Sequence, residues 1–318
     1  MRAEPDELGR PLAAAACTTP HVQREISLML ESVAVDAFLH RLEEEDDRAT
    51  RRLAEILDKH TCHDWLWKID PRQGSRLAEE DFLTCLASRL GAERVPAGEV
   101  RCRQCGELLD ASVGHASCCS PAESTRGHYA VVTTVAEGMA LADPALQTEA
   151  HGLLPTGERP ADILTTAAIP GTKAALDITI ASQDAKHAGT DACATAYRRK
   201  MNRYDSILPA LRRAGVVFQP LVWSAEGRPH PATVRILECA LKLVRTRKGA
   251  EAAAELRGRW QHEIAVAIQR RKAAMIRAAL PAQSGRQAWL ERGGRLDDGD
   301  NVLPPVDADD GATDDATV

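Results

Sequence analysis

The stretch GERPADILTTAAIPGTKAALDITIAS, residues Gly157–Ser182, constrains the fold of this chain more than any other. Within it Ala174–Ile180 alternates strictly, with Leu176, Ile178 and Ile180 on one face and Asp177 and Thr179 on the other. Period-two alternation with β-branched residues predicts a strand. A second apolar run, Ala161–Thr165, carries Asp162, and a third candidate strand, Leu146–Leu154, carries Glu149. An aspartate on a strand must face solvent or positive charge, because a buried unpaired carboxylate is costly. Two on neighbouring strands form the minimal oxygen cage for a hard divalent cation such as Mg²⁺ or Mn²⁺. The pair alone is weak, since aspartates at strand edges are ordinary in α/β domains. The helix predicted over Ala192–Ala214 adds weight: Tyr197, Lys200 and Tyr204 share one face, and Arg198, Arg199 and Arg203 offer charge for a nucleic-acid backbone.

The strongest local motif lies upstream: Cys102-x2-Cys105, then His115 and Cys119. Zinc needs four soft or borderline ligands in a tetrahedron, and a tight Cys-x-x-Cys turn supplies two of them. Gly106 and Gly114 provide for turns on both arms. Cys118 competes with Cys119 for the fourth position. The rival chemistry is a disulfide or redox pair, which a reducing compartment disfavours. Cys17, Cys62, Cys85, Cys193 and Cys239 are scattered and read as ordinary thiols. His60, Cys62 and His63 are too tightly spaced to close a site alone and, with Trp65 and Trp67 beside them, read as packing.

Net charge misleads here. The chain carries −6 overall, but eight aspartates and no basic residue follow from Asp297 onward. Between Thr172 and Arg292 there are 22 Lys/Arg against 10 Asp/Glu, an excess of +12. A basic half suits a polyanion better than a small neutral substrate, although Arg-rich helices are also common as solvated faces. No apolar run reaches the roughly 18 residues of a membrane span, and LAAAAC is too short for a signal peptide. No membrane partner and an intracellular, nuclear location are expected.

At 318 residues the chain has room for more than one modest domain. The organisation read from the sequence is an unstructured 1–20, a helical region 21–98, a zinc knuckle 99–122, a mixed α/β domain 123–248, a basic helix 249–292 and a disordered acidic tail 293–318. A helix is expected over Arg126–Leu141, with His128 at its start. Pro209 is expected to kink the helix after Ala192. VVFQPLVW is a fourth strand, which Pro220 demotes toward an edge or bulge. Two further helices, Ala232–Val244 and Ala250–Leu280, precede Pro281.

The order of Glu149, RPAD, LDITI and Tyr197-x-x-Lys200-x-x-x-Tyr204 resembles the PD-(D/E)XK nuclease fold. More narrowly, it resembles the restriction-like endonuclease region of site-specific non-LTR retrotransposons and related reverse-transcriptase-like proteins. The resemblance runs from Cys62 to Ala279 and takes in HDWLWKID, FLTCLASRLG, the knuckle, GLLP and VVFQPLVWSAEGRPHP. It implies a small four-stranded mixed sheet flanked by helices, structural Zn²⁺ on Cys102, Cys105, His115 and Cys119, and catalytic Mg²⁺ or Mn²⁺ on Asp162 and Asp177. It further implies DNA as partner, with RNA as the alternative polyanion. Catalytic roles would fall to Asp162, Asp177, Lys200 and Glu149. One departure matters: Thr179 stands where the fold's lysine is normal, and the resemblance implies that Lys200, from the following helix, substitutes. The chain lacks a Tyr/Phe-x-Asp-Asp polymerase signature, so a piece of a mobile element without its polymerase is expected. Thr179 also keeps open a second reading, a nucleic-acid-binding protein that retains the fold without cleaving.

Overall fold

Four strands make the sheet: β1 (Gln147–Thr148), β2 (Ile163–Ile169), β3 (Thr172–Ala181) and β4 (Val216–Ser224), side by side in that order. β1 and β2 are antiparallel, as are β2 and β3, whereas β3 and β4 run parallel. The expected mixed α/β class is what the chain adopts. Ahead of the sheet come α1 (Arg48–Leu57), α2 (Glu79–Arg89), the single turn α3 (Ala116–Cys119) and α4 (Pro121–Ala140). The antiparallel β2–β3 pair closes through a tight turn at Gly171, whose φ of +72° suits a residue without a Cβ. Parallel strands need a crossover, and here it is α5 (Ala192–Tyr204), a 3₁₀ turn and α6 (Leu208–Arg213). This computed structural model describes residues 48–68, 75–92, 94–95, 99–110, 113–151, 153 and 161–281. The expected disordered 1–20 and 293–318, and the helix expected ahead of residue 48, lie outside the described residues.

The alternation in β3 divides the molecule into layers. Leu176 and Ile178 face a large core built with α4, α7 (Pro231–Lys248) and α8 (Ala250–Ala279). Ala175, on the opposite face, packs with Leu164, Phe218 and Leu211 beneath α6. Fully burying each Leu or Ile is worth about 1.5–3 kcal/mol, so the hydrophobic pattern fixes which face of β3 is which. α4 approaches α8 closely: a Cβ on Gly138 would sit 2.1 Å from Trp260 Nε1, and one on Gly127 would sit 2.3 Å from the Arg271 stem.

Two elements differ from the sequence expectation. Among the described residues of the third candidate strand only the two of β1 are in a strand, and Glu149 follows at φ +49°. The helix after Ala192 ends at Tyr204, ahead of Pro209, and Pro209 instead opens α6 from its first turn. That position tolerates proline since its N–H would have no helical partner. β4 meets the expectation set by Pro220: it runs through the proline as an edge strand among the described residues.

α8 occupies the centre of the molecule. Its Trp260, Ile264 and Ile268 enter the same core as the sheet, while Ile276, Ala279 and Leu280 form a second core with the knuckle. α8 therefore shares cores with both the 123–248 and the 99–122 segments. Several of its basic residues are paired within the protein. Lys272 is buried against Glu226 at 2.5 Å, Arg277 pairs with Asp81 from α2, and Arg257 pairs with Glu238. Of these only Lys272 is buried; Arg257 and Arg277 make their pairs at the surface.

Candidate functional site: a carboxylate row and a thiol cluster

The sheet register brings the predicted acidic residues into line. Ile163 pairs with Leu176 and Thr148 with Ile163, so one step further Glu149, Asp162 and Asp177 stand opposite one another across three strands. The backbone agrees: Glu149 N–H donates to the Asp162 carbonyl at 2.8 Å, and Asp162 N–H donates to the Leu176 carbonyl at 2.9 Å. Directly opposed residues project to one face, which is the Asp177 face, toward α5.

From α5, Lys200 reaches back to this face. Its Nζ donates to Asp177 Oδ1 at 3.0 Å and lies 2.8 Å from Oδ2. The second approach is off the line of a hydrogen bond, leaving the buried Oδ2 without a hydrogen-bond partner. Asp177 is only 6% exposed, and burial raises its pKa. Lys200 opposes that rise by charge and hydrogen bond, while the Asp162 charge adds to it. Asp162 is more fully engaged: Oδ2 accepts from Ile178 N–H at 2.6 Å, and Oδ1 lies 3.2 Å from His128 Nε2 on α4. Thr179 Oγ1, on the Asp177 face of β3, is buried without a hydrogen-bond partner.

Asp162 and Asp177 thus stand on neighbouring strands of one sheet face, Asp177 held by Lys200 and Asp162 by His128. Glu149 is exposed, and the three carboxylates do not all come within 4.8 Å of one another. Its backbone is left-handed, at φ +49°. Arg198, Arg199 and Arg203 are exposed along α5 beside Lys200. Tyr197 belongs to the packing, stacked on His230 at 4.4 Å between centroids, and Tyr204 leans on Phe218.

The second constellation is local. Cys102, Cys105, His115 and Cys119 bring their ligand atoms within 4.8 Å of one another. Ligands around a tetrahedral zinc with Zn–S near 2.3 Å stand roughly 3.8 Å apart, so the four fit such an ion with small adjustments. A hairpin holds the first pair: Cys102 N–H donates to the Glu107 carbonyl and Gly106 N–H to the Cys102 carbonyl, both at 2.8 Å. Gly106 takes φ +77° to close it. The second pair flanks α3, with His115 just before its first residue and Cys119 as its last. His115 Nε2 faces Cys105 Sγ at 3.2 Å, while its Nδ1 lies 3.7 Å from Glu107, the outer carboxylate common behind metal-bound histidines. Cys118 turns away and donates to the His115 carbonyl, which leaves the fourth position to Cys119. Burial would raise the Cys102 thiol, but N–H groups of Gln104 and Cys105 and the His115 and Cys119 side chains outweigh it and hold it down to about 7. Burial and the neighbouring sulfurs push Cys119 up to about 12. The described residues thus contain a Cys₃His cluster able to hold a metal such as zinc.

The knuckle is not a detached module. Arg103 N–H and the Gln104 side chain donate to the Ala279 and Ala278 carbonyls, satisfying the C-terminal end of α8. His60, Cys62 and His63 form no metal cluster among the described residues; Trp65 packs edge-on against Phe82. Among the scattered thiols, Cys85 and Cys193 are fully buried, and burial raises both pKa values, Cys85 to about 12.

Sequence reasoning missed one polar assembly. Glu55 on α1, Asp191 and Cys193 cluster closely, but Arg228 fills the space between the two carboxylates. No spacing signal marks it, since Glu55 and Arg228 lie 173 residues apart. A cavity of about 420 Å³ opens between Trp67, Trp223 and Trp260 and includes none of the row's carboxylates. No helix among the described residues is long and apolar enough to cross a membrane. No protein-family model matches the chain, and no curated protein is significantly similar to it.

Proposed function

We propose that this chain is a metal-dependent DNA endonuclease of the restriction-like type, resembling the nuclease region of site-specific non-LTR retrotransposons, with a zinc knuckle as its structural metal site. The observation that carries the reading is the meeting of Asp162, Asp177 and Lys200 on one sheet face, with lysine supplied from α5 where Thr179 has no charge to offer.

The residues fit a divalent cation in part. Asp177 Oδ2 is a buried carboxylate oxygen engaged only by the Lys200 ammonium, and Asp162 Oδ1 has only the histidine to release. Asp162 and Asp177 would hold Mg²⁺ or Mn²⁺, which when bound supplies charge to polarise a phosphate and acidify a water. Asp177 must be ionised to take that role. Lys200 favours ionisation while the site is unliganded, and its charge is then placed to neutralise a phosphate oxygen in the transition state. His128 holds Asp162 from the helix layer. Arg198, Arg199 and Arg203 would follow the backbone of DNA on either side.

One observation favours the second reading, a binder that does not cut. The Asp162 carboxylate already accepts from Ile178 N–H and the Asp177–Lys200 pair is closed, so the row is largely self-satisfied without metal. Nicking of supercoiled plasmid with Mg²⁺, Mn²⁺ or chelator separates the two. Cutting that needs metal and is lost in Asp177→Ala supports the nuclease; DNA binding without cutting in any metal supports the binder.

A further inference from the structure

The segment from Ser182 to Asp191 joins the two halves of the proposed active site, leaving β3 five residues after Asp177 and entering α5 nine residues before Lys200. It has little apolar burial of its own and is held by charge. Arg228, in the turn after β4, donates through Nε to Glu55 Oε2 at 3.0 Å and through Nη2 to Glu55 Oε1 at 2.5 Å. The same Nη2 donates to Asp191 Oδ1 at 2.9 Å. Asp191 is the N-cap of α5, its Oδ1 also accepting from Ala194 N–H at 3.0 Å. Glu55, 4% exposed, further accepts from Gln183 Nε2 at 3.2 Å.

One guanidinium therefore ties three elements together: α1, the β4 turn and the first turn of the helix that carries Lys200. Burial would raise the Asp191 pKa, but the α5 N–H groups and Arg228 outweigh it, and Arg228 is itself raised by its bonds to Glu55. Both directions describe an assembly locked in its charged form. α5 is amphipathic and short, so a fixed first turn sets its rotation and axial position, and hence where Lys200 Nζ lies two to three turns on.

We propose that Arg228, bridging Glu55 and Asp191, is the positioning residue for Lys200, so that α1 acts on the carboxylate row through the N-cap of α5. The inference rests on the nuclease reading only for its consequence in rate; the placement of Lys200 is testable without it. Arg228 touches no reacting group. It acts through Asp191, and its loss displaces Lys200 without removing it.

The test compares wild type with Arg228→Gln and Asp191→Asn, the latter retaining a capping side chain and its volume while removing the charge that Arg228 holds. Arg228→Lys, which keeps charge but cannot bridge both carboxylates, is the conservative control. Two readouts are taken on full-length, zinc-loaded protein: the rate at which an amine reagent modifies Lys200, read by mass spectrometry, and metal-dependent nicking. Lys200 modification should accelerate severalfold in Arg228→Gln and Asp191→Asn, and less in Arg228→Lys. Misplacement far from the chemistry can cost about 100-fold in rate, so kcat should fall in that range while KM and DNA affinity stay near wild type. Unchanged Lys200 modification in both variants overturns the proposal. Should Arg228→Gln fail to fold, Asp191→Asn decides alone. Wild-type protein that never nicks sinks the nuclease reading, and the modification rates still judge the positioning role.

Discussion

The knuckle and the carboxylate row are both candidate metal sites, and they differ in what satisfies them without metal. In the knuckle, three sulfurs and an imidazole point at one another, with Glu107 behind His115 and the Gln104 N–H on Cys102. In the row, each aspartate already has protein partners: Ile178 N–H and His128 for Asp162, Lys200 for Asp177. A site that crowds three sulfurs and an imidazole together needs its ion to be stable. A site that can satisfy itself can bind an ion transiently, which suits catalysis, or do without it, which suits binding alone.

The largest effect should come from emptying the knuckle. Structural zinc in small motifs is worth roughly 10 kcal/mol or more of apparent binding free energy. Since Arg103 and Gln104 finish α8 and Leu109 and Val113 share its terminal core, the loss should spread beyond residues 99–122. Protein purified under reducing, chelator-free conditions should carry one zinc per chain. Cys102→Ser or strong chelation should lower the melting temperature and raise hydrogen exchange along the last turns of α8. Exchange changes confined to the knuckle would show that it is detached after all.

Next in size is the row. Asp177→Ala and Lys200→Ala should each reduce metal-dependent nicking by about 100-fold or more, the usual scale for groups acting in a transition state. Asp162→Ala should match them. Glu149→Ala should leave the rate within severalfold of wild type, since Glu149 is exposed and forms no close cluster with the two aspartates. A Glu149→Ala variant as inactive as Asp177→Ala would mean that substrate or metal draws the third carboxylate in.

A smaller effect separates the two regions by pH. Folding raises the Asp177 pKa above its ordinary value of about 3.9. Its tighter hold on a proton therefore favours the folded state below that value, and this contribution is lost as pH climbs through the folded pKa. Removing Lys200 takes away the charge that limits the rise. Lys200→Ala should cost about 1–3 kcal/mol of stability near neutral pH, where Asp177 would be left buried and unpaired. That cost should shrink as the pH is lowered and Asp177 takes up a proton. Denaturant titrations at several pH values check this, and a pH-independent cost would deny the pair its buried character. The knuckle should respond in the opposite sense, losing metal as acid protonates its thiolates and histidine.

The smallest effects belong to the rim. Arg198→Ala, Arg199→Ala and Arg203→Ala should each lower the slope of log affinity against log salt by about one for every phosphate left without its arginine, with little change in stability. Affinity measured across a salt series checks this. No change for the triple variant would move the polyanion surface elsewhere, to α6 or α7.

Much of this protein was determined by its sequence through local physics. Strict alternation set β3 and its two faces, because a one-residue slip would turn Leu176 and Ile178 toward the carboxylate row and Asp177 into the large core. The knuckle ligands were legible because Cys102, Cys105, His115 and Cys119 lie within one short segment, where spacing and a glycine turn limit what the chain can do. Tertiary structure alone decided the rest. It ended β1 ahead of Glu149, although the residue is in register with both aspartates. It buried Lys272 against Glu226 and paired Arg257 and Arg277 with carboxylates of other elements, so that these charges of the basic half have partners that a count along the chain does not reveal. It also assembled Glu55, Asp191 and Arg228, which no spacing rule connects. The reason is the same in each case. Periodicity and short motifs report on neighbours within a few residues, whereas the pairing of charges depends on which distant elements the apolar core brings together.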